Sequence, residues 1–224
     1  MMINHPFQVR QPLSENVARF IRKEILLGRW KRGAHINESK IATELNVSRG
    51  PVRDALKLLN NEGMIETPSN GRAIVIGFDE KNFNDWNDIR LYLETLAIKE
   101  GIKKIPAKQM NFIDMERTIV EMERADNLAS HIYFDLLFHK SIVDFSGNRT
   151  LSKLWDTISG TLSTMLELIA NHYDNKKQID MHKNILEALK AGDAEKACRE
   201  LEFHIREGEK ANKSVIAFMD EQDD

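Results

Sequence analysis

Residues 45–63 decide the fold of the first part of this chain, and they read LNVSRGPVRDALKLLNNEG. Asn46 tolerates the left-handed backbone conformation that a tight turn between two helices requires. Ser48 can cap the next helix through its hydroxyl group, and Pro51 falls in the first turn of that helix, where its missing N–H costs little. Gly63 ends the helix. The stretch therefore predicts a helix, a short turn and a second helix.

The second of these helices has one apolar side and one basic side. Arg49 and Arg53 lie four residues apart near its N-terminus, so they project together from the side opposite to the apolar residues. The apolar residues recur at helical spacing and comprise Val52, Ala55, Leu56, Leu58 and Leu59. A short helix that is packed from behind and presents two arginines is the arrangement that DNA recognition requires.

Two more helices and a hairpin complete the first part of the chain. An N-cap at Ser14 and a stop at Gly28 predict the first helix, and Asn37 is predicted to cap the second. Residues 64–76 predict a hairpin around an Asn-Gly turn, with Arg72 near its tip. His35 and Ile36 could add one rung of a small strand. Three helices and a hairpin make a winged helix-turn-helix.

The pattern changes after Gly77, which predicts a first domain at residues 1–77 and a second domain at residues 78–224. The second domain shows helical periodicity and no strand pattern, so the fold class is mainly α, with a C-terminal all-helical bundle. Two apolar stripes are predicted to form the bundle core: Phe83, Trp86, Leu93 and Leu96, and Trp155, Ile158, Leu162, Met165 and Ile169. The predicted helices span roughly 79–104, 106–125, 127–146, 148–173, 175–191 and 193–219.

The charge distribution separates the same two parts. The net charge of the chain is −3. Residues 1–78 carry twelve Lys/Arg against seven Asp/Glu, whereas the remainder carries twenty against twenty-eight. A basic first third indicates that only this part meets a polyanion. A single cysteine, the lack of an apolar run near 20 residues and the lack of a secretory signal favour a cytoplasmic protein without a membrane span.

The basic residues suggest specific DNA contacts. Arg49 is placed for base edges in the major groove, and Arg53 for a base or a phosphate, because arginine forks bidentately to guanine. Ser48 and the backbone N–H groups of Arg49 and Gly50 form a phosphate seat at a helix N-terminus. Arg72 on the wing would reach the minor groove or the backbone. The alternative is that Arg49 and Arg53 are solvated charges paired with nearby carboxylates.

Four residues of the second domain have spacings that suggest a metal site. Asp135 and His139 lie four residues apart on one helix face, while His182 and His204 fall on the last two helices. If these helices share an axis, one carboxylate and three imidazoles can converge on an ion. Spacing alone favours core histidines that hydrogen-bond to the protein. His131, one turn before Asp135, is either a partner of the ligands or a surface residue.

Residues 17–76 resemble the DNA-binding domain of the GntR family of bacterial transcription regulators. The resemblance rests on Ile41-Ala42, on the run from Leu45 to Leu56, on Leu59 with Glu62-Gly63, and on the wing sequence Asn70-Gly71-Arg72. Ser39 is a departure, because some relatives carry a base-contacting arginine there.

Residues 79–219 are similar to the helical effector domain of the FadR-like (FCD) branch of that family. The matching positions are Arg90 with Glu94, Asp135 with His139, Gly147-Asn148, His182, Ala188, Gly192-Asp193, Ala197 and His204. The resemblance implies that Asp135, His139, His182 and His204 bind a divalent metal ion, either zinc, nickel or manganese.

Together these features predict a ligand-responsive transcription regulator and not an enzyme. We expect a homodimer on an inverted-repeat operator of double-stranded DNA, contacted by Ser48, Arg49, Gly50, Arg53, Asn70, Gly71 and Arg72. The expected effector is a small carboxylate held by the metal and Arg90, although Arg90 could instead pair with Glu94 within its helix. A metal-dependent hydrolase and a DNA-binding protein without an effector are the alternatives.

Overall fold

The computed structural model describes residues 12–68, 72–104, 111–169 and 174–220, without the side chains of residues 169 and 211–220. The chain divides into two compact units between Phe78 and Asp79. The wing residues Asn70 and Gly71 and the helix start expected at Pro106 lie outside the described residues.

The first unit is a winged helix-turn-helix with three helices and a small antiparallel sheet. Its elements are α1 (Leu13–Leu26), α2 (Glu38–Glu44), α3 (Arg49–Asn61), β1 (Ile65–Glu66) and β2 (Ile74–Val75). In the hairpin, Ile65 lies opposite Val75 and Glu66 opposite Ile74. An isolated bridge joins His35 to Ile74, so the additional rung expected from the sequence is present.

The turn between α2 and α3 has the predicted backbone chemistry, with one exception. Asn37 caps α2, because its side-chain oxygen accepts hydrogen bonds from the N–H groups of Ser39 at 3.0 Å and Lys40 at 3.1 Å. Asn46 adopts the left-handed conformation with φ 52°. Ser48 occupies the N-cap position of α3, but its side chain makes no capping hydrogen bond, so the predicted hydroxyl cap is wrong.

Two further predictions for this unit are wrong. α1 begins at Leu13 with Pro12 rather than Ser14 at the N-cap position, because the Pro12 carbonyl oxygen already accepts hydrogen bonds from the N–H groups of Glu15 at 2.9 Å and Asn16 at 3.3 Å. Leu58 was expected in the core but is 36% exposed, since the 3.6-residue period turns it away from the buried face. That face of α3 consists of Val52, Ala55, Leu56 and Leu59.

The second unit is a bundle of helices. Its described helices are α4 (Glu80–Lys104), α5 (Ile113–Arg124), α6 (Leu128–Phe145), α7 (Arg149–Ile169), α8 (Asn175–Lys190) and α9 (Ala194–Asp220). Gly147 and Gly192 have φ values of 66° and 68° and end the helices before them. α6 is capped by Asn127, whose side chain accepts a hydrogen bond from the Ser130 N–H, so the helix begins at Leu128, one residue after its predicted start.

The predicted core face of α4 is wrong in most positions. Phe83 is buried, but Leu96 is 45% exposed and Trp86 and Leu93 are only partly buried. The face that α4 buries also carries polar side chains, which hydrophobic periodicity excludes from a core. These polar side chains are Asn87, Arg90 and Glu94.

α7 follows its prediction more closely. Trp155, Ile158, Leu162 and Met165 are buried, whereas the side chain of Ile169 lies outside the described set. Trp155 is 1% exposed and its ring stacks on that of His139, with the ring centroids 6.3 Å apart. Within the described ranges, no helix combines the length and the apolar character needed to cross a lipid bilayer.

Candidate metal centre and DNA-binding surface

Three helices bring the four predicted ligands together. Asp135 and His139 project from α6, His182 from α8 and His204 from α9, and all four are buried. One potential ligand atom from each residue lies within 4.8 Å of every other. The spacing of Asp135 and His139 put them on one helix face, and helix packing supplied the other two.

The distances in this cluster fit the coordination shell of a divalent ion. The Nε2 atom of His139 lies 3.1 Å from that of His182 and 3.0 Å from that of His204. The His182 Nε2 atom is also 3.1 Å from the Asp135 Oδ1 atom. Two ligands at adjacent corners of an octahedron, each about 2.1 Å from the ion, are separated by about 3.0 Å.

The hydrogen bonds on the far side of the rings direct lone pairs into the cluster. The Nδ1 atom of His182 lies 2.8 Å from the Gln178 carbonyl oxygen, so Nδ1 donates and Nε2 carries a lone pair. The Nδ1 atom of His139 lies 2.6 Å from the Glu94 Oε2 atom, and donation to this carboxylate has the same effect. These lone pairs converge with the Asp135 carboxylate, and a cation satisfies such a set of acceptors.

The electrostatics of the cluster favour the ligand forms of its residues. Burial lowers the pKa of His139 and of His204 well below the ordinary histidine value, so both rings are neutral. Burial opposes ionisation of Asp135, but the neighbouring His182 and the positive charge of Arg90 hold its pKa well below the usual range. An ionised carboxylate and neutral imidazoles are the forms that bind metals.

Glu94 is a further candidate residue of this site, which the sequence indicated only as a possible partner of Arg90. Its carboxylate contacts His139 through Oε2 and accepts a hydrogen bond from the Arg90 Nε atom at 2.9 Å through Oε1. Burial raises the pKa of Glu94 to about 7, against the opposing charge of Arg90. Glu94 thereby sets the orientation of a candidate ligand ring. The available signal was the position of Glu94 four residues after Arg90 on α4.

A cavity of about 660 Å³, which includes space open to solvent, adjoins the cluster. Arg90, His131, Asp135 and His204 are among its lining residues, so His131 faces the cavity without belonging to the four-residue cluster. In the described part of the chain, three buried side-chain polar atoms lack a hydrogen-bond partner: Arg90 Nη2, Asp135 Oδ2 and His204 Nδ1. All three belong to residues that line this one cavity.

In the first unit, the predicted DNA-contacting residues of α3 lie on its exposed side. Ser48, Arg49, Gly50 and Arg53 are exposed, as is Arg72 next to the wing. A Cβ atom added at Gly50 would meet only the Ser48 Oγ atom at 3.8 Å, so this surface is open. Arg53 is 64% exposed, and its Nε atom lies 3.7 Å from the Glu38 Oε2 atom on α2.

The winged helix and the bundle define a DNA-binding transcription regulator. Residues 13–75 match the family model for bacterial regulatory proteins of the gntR family, and residues 85–207 match the FCD domain. The FCD match covers more than half of the chain. The chain therefore belongs to the GntR family and carries an FCD domain, and the members it matches are transcription regulators rather than enzymes.

Individual relatives agree with this assignment. The gluconate operon transcriptional repressor of Bacillus subtilis (strain 168) is 30% identical over 187 residues, which cover 79% of this chain and 75% of that protein. The repressor of the same name from Bacillus licheniformis is 27% identical over 187 residues, which cover 79% of this chain and 75% of that protein. A solved structure of Lar, described as controlling expression of the Listeria monocytogenes agr system, has the same fold. Its TM-score is 0.69 at 18% identity, covering 92% of this chain and 98% of that one.

Proposed function

We propose that this regulator senses a small organic acid through a divalent metal ion held by Asp135, His139, His182 and His204. The convergence of these four buried ligand groups is the observation that carries the proposal. Mixed nitrogen and oxygen ligation suits zinc, nickel or manganese. When bound, the ion supplies positive charge and open coordination positions that suit a carboxylate oxygen.

Arg90 is the proposed clamp for the carboxylate of the effector. Its Nε atom is engaged by Glu94, so the pairing within α4 that was the alternative does occur. The Arg90 Nη2 atom nevertheless has no partner, is buried and belongs to a residue that lines the cavity. A buried guanidinium group with a free N–H edge is suited to bind a carboxylate. Two relatives are named for a gluconate operon, which makes sugar acids the first effectors to test.

The proposed DNA contacts follow from the exposed residues of α3 and the wing. Arg49 and Arg53 contact base edges, Ser48 and Gly50 approach a phosphate, and the wing sequence Asn70-Gly71-Arg72 reaches the minor groove or the backbone. DNA as the target implies a cytoplasmic location.

The exposed side of α4 supports a homodimer, which an inverted-repeat operator requires. Ile89, Tyr92 and Leu96 are 50%, 70% and 45% exposed and form an apolar stripe. Asp85 lies seven residues before Tyr92 and Lys99 seven residues after it, and both are exposed. Two α4 helices paired antiparallel about Tyr92 would therefore bring opposite charges together. Tyr92→Glu should yield monomers in light scattering, and a dimer unchanged by this substitution would exclude this face.

The DNA contacts are tested by comparing two arginines. Arg49→Ala should weaken binding to a duplex selected by the wild-type protein much more than binding to a shuffled duplex, because a base contact carries the discrimination. Arg72→Ala should weaken both more evenly, because phosphate contacts carry no sequence information. Titrations at one salt concentration measure both effects. Unchanged discrimination in Arg49→Ala would remove that residue from base recognition.

The effector site is tested by a thermal-shift screen of metal-loaded protein with gluconate, other sugar acids, hydroxy acids and dicarboxylates. Compounds that bind should raise the melting temperature of metal-loaded wild type more than that of metal-free wild type. They should also raise it more than that of metal-loaded Arg90→Lys, because lysine lacks the guanidinium fork. Arg206→Lys is the matched control, because Arg206 forms a partly exposed pair with Asp88 on the same unit.

Each hit should then change DNA affinity by about 5- to 150-fold, the usual range of allosteric coupling. The effect requires different effector affinities for two arrangements of the protein. α4 begins at Glu80, five residues after β2 ends at Val75, so a shift of α4 would be transmitted along a short connection. Effectors that bind without altering DNA affinity would refute the sensing role and leave the regulator assignment intact.

A further inference from the structure

The ion pair between α2 and α3 has a feature that the DNA contacts alone do not explain. Glu38 places a carboxylate 3.7 Å from Arg53, one of the two arginines that α3 exposes for DNA. A negative charge beside a DNA-binding arginine repels phosphates and therefore lowers affinity for any duplex. A binding surface optimised for affinity alone would not carry an acidic residue in this position.

The pair does not stabilise the fold appreciably. Arg53 is 64% and Glu38 33% exposed, and ion pairs in such wet surroundings contribute little to stability. The two partners differ, however, in how firmly they are held. Glu38 is the first residue of α2, whose start is fixed by the two hydrogen bonds that the Asn37 side chain accepts from the N–H groups of Ser39 and Lys40. Arg53 also lies in a helix, but its side chain is about twice as exposed as that of Glu38, so Glu38 is the more confined partner and Arg53 the group that is restrained.

We propose that Glu38 is a specificity-determining residue that restrains Arg53 for base recognition and opposes its use as a general phosphate contact. The contact is made through Nε, while the two Nη groups reach furthest from α3 and can fork to a guanine edge. Without Glu38, Arg53 is free to follow the nearest phosphate on any sequence. The inference rests on the proposed DNA contact of Arg53.

The decisive variant is Glu38→Gln, titrated against the duplex that wild type selects from a random pool and against a shuffled duplex of the same composition. Removing one unit charge at about 4–8 Å from a phosphate in water should raise affinity for the shuffled duplex about two- to sixfold. Affinity for the selected duplex should rise less, because an unrestrained Arg53 loses part of its contact with the recognised base, and this loss offsets part of the electrostatic gain. The ratio of the two affinities therefore falls.

Asp54→Asn is the matched control. Asp54 is the neighbour of Arg53 on α3, is exposed and pairs with Lys57 at 2.9 Å, so the substitution changes the net charge equally without touching the Arg53 pair. It should raise both affinities by similar factors and leave their ratio unchanged. In an Arg53→Ala background, Glu38→Gln should likewise leave the ratio unchanged, because the restrained group is absent. The melting temperature of Glu38→Gln should match that of the wild type.

The outcomes separate this inference from the proposed function. If Glu38→Gln changes both affinities by the same factor, as Asp54→Asn does, the specificity role of Glu38 is wrong while Arg53 keeps its DNA contact. If Arg53→Ala alone leaves both affinities unchanged, the DNA contact of Arg53 is wrong, and the role of Glu38 fails with it. A fall in the ratio that depends on Arg53 supports the inference.

Discussion

The two units each bury one arginine against a glutamate, but they treat the guanidinium group differently. In the winged helix, Arg22 is 1% exposed and donates three hydrogen bonds of 2.7–2.8 Å, two to Glu62 and one to Glu15. In the bundle, Arg90 is 5% exposed and donates to Glu94, yet its Nη2 atom has no partner. The pairing of Arg22 is complete, whereas that of Arg90 leaves one edge of the fork available.

The comparison separates two roles of a buried arginine. One arginine stabilises the fold through contacts within the chain, and the other leaves a guanidinium N–H group available to a ligand. A buried charge without full pairing is costly, so folds retain it mainly where a partner from outside completes the set. Arg22 joins α1 to the end of α3, and its partners all come from the chain itself. Arg90 shares its cavity with two further unpartnered atoms, on Asp135 and His204. Among the described residues, the winged helix thus has no buried side-chain polar atom without a hydrogen-bond partner, whereas the bundle has three where its effector is proposed to bind.

The largest expected effect is on the fully paired arginine. Arg22→Ala should lower the free energy of unfolding by about 3–5 kcal/mol, because it removes two charge-assisted hydrogen bonds to the Glu62 carboxylate, whose side chain is 4% exposed. Arg29→Ala is the control, since Arg29 is 62% exposed in its pair with Glu24 and should cost at most about 1 kcal/mol. Chemical denaturation of both variants measures the difference. Similar costs for the two would show that the buried pair is not essential to the winged helix.

The next effect concerns completion of the unsatisfied cluster by a metal ion. Protein purified without chelator should contain about one divalent ion per chain. If the concentration of free metal is 100 times the Kd, its removal by a chelator should lower the free energy of unfolding by about 2.7 kcal/mol. His182→Ala should lose the ion, whereas His131→Ala should keep it, because His131 lines the cavity outside the cluster. Elemental analysis and thermal melting provide the two readouts. Equal metal content in wild type and His182→Ala would rule out this site.

The smallest effect compares one glycine in each unit. In the bundle, a Cβ atom at Gly101 would lie 2.3 Å from the Phe145 Cδ1 atom, whereas at Gly50 the nearest atom is 3.8 Å away. Overpacking in Gly101→Ala should therefore destabilise the protein by about 1–3 kcal/mol. The better helix propensity of alanine should offset up to about 1 kcal/mol of this cost. Gly50→Ala should be neutral or slightly stabilising but should weaken DNA binding.

Denaturation of both glycine variants measures the effect of the added methyl group on stability, and DNA titration measures its effect on DNA affinity. The space at Gly101 is occupied by the fold, while that at Gly50 is proposed to admit the DNA backbone. Unchanged DNA affinity in Gly50→Ala would mean that the duplex does not approach this residue closely.

Local sequence signals predicted the winged helix well. Asn37 and Asn46 act through their own backbone and side-chain chemistry, so their roles could be predicted without knowing what packs against them. The predictions failed where neighbouring residues could equally well start a helix or belong to its buried face. Ser14 and Pro12 can both start a helix, and Leu58 lies close to an apolar face without belonging to it.

The candidate site was less accessible from the sequence. Helical spacing placed Asp135 and His139 on one face, whereas the convergence of His182 and His204 with them depended on an assumed shared axis and was favoured only by the family resemblance. The core face of α4 was predicted wrongly, because hydrophobic periodicity treats a buried Arg90 or Glu94 as exposed. Their burial depends on partners contributed by other helices, which no local pattern contains.

By itself, then, the sequence determined the order of helices, the turn before α3, the division near Gly77 and the resemblance that identified the family. These features depend on residues close together in the chain. Only the tertiary structure decided that Glu94 contacts His139, that the Arg90 Nη2 atom has no partner and that Glu38 lies 3.7 Å from Arg53. Each of these contacts, or the lack of one, depends on how helices pack. Packing joins residues such as Glu94 and His139, 45 positions apart, at hydrogen-bonding distance.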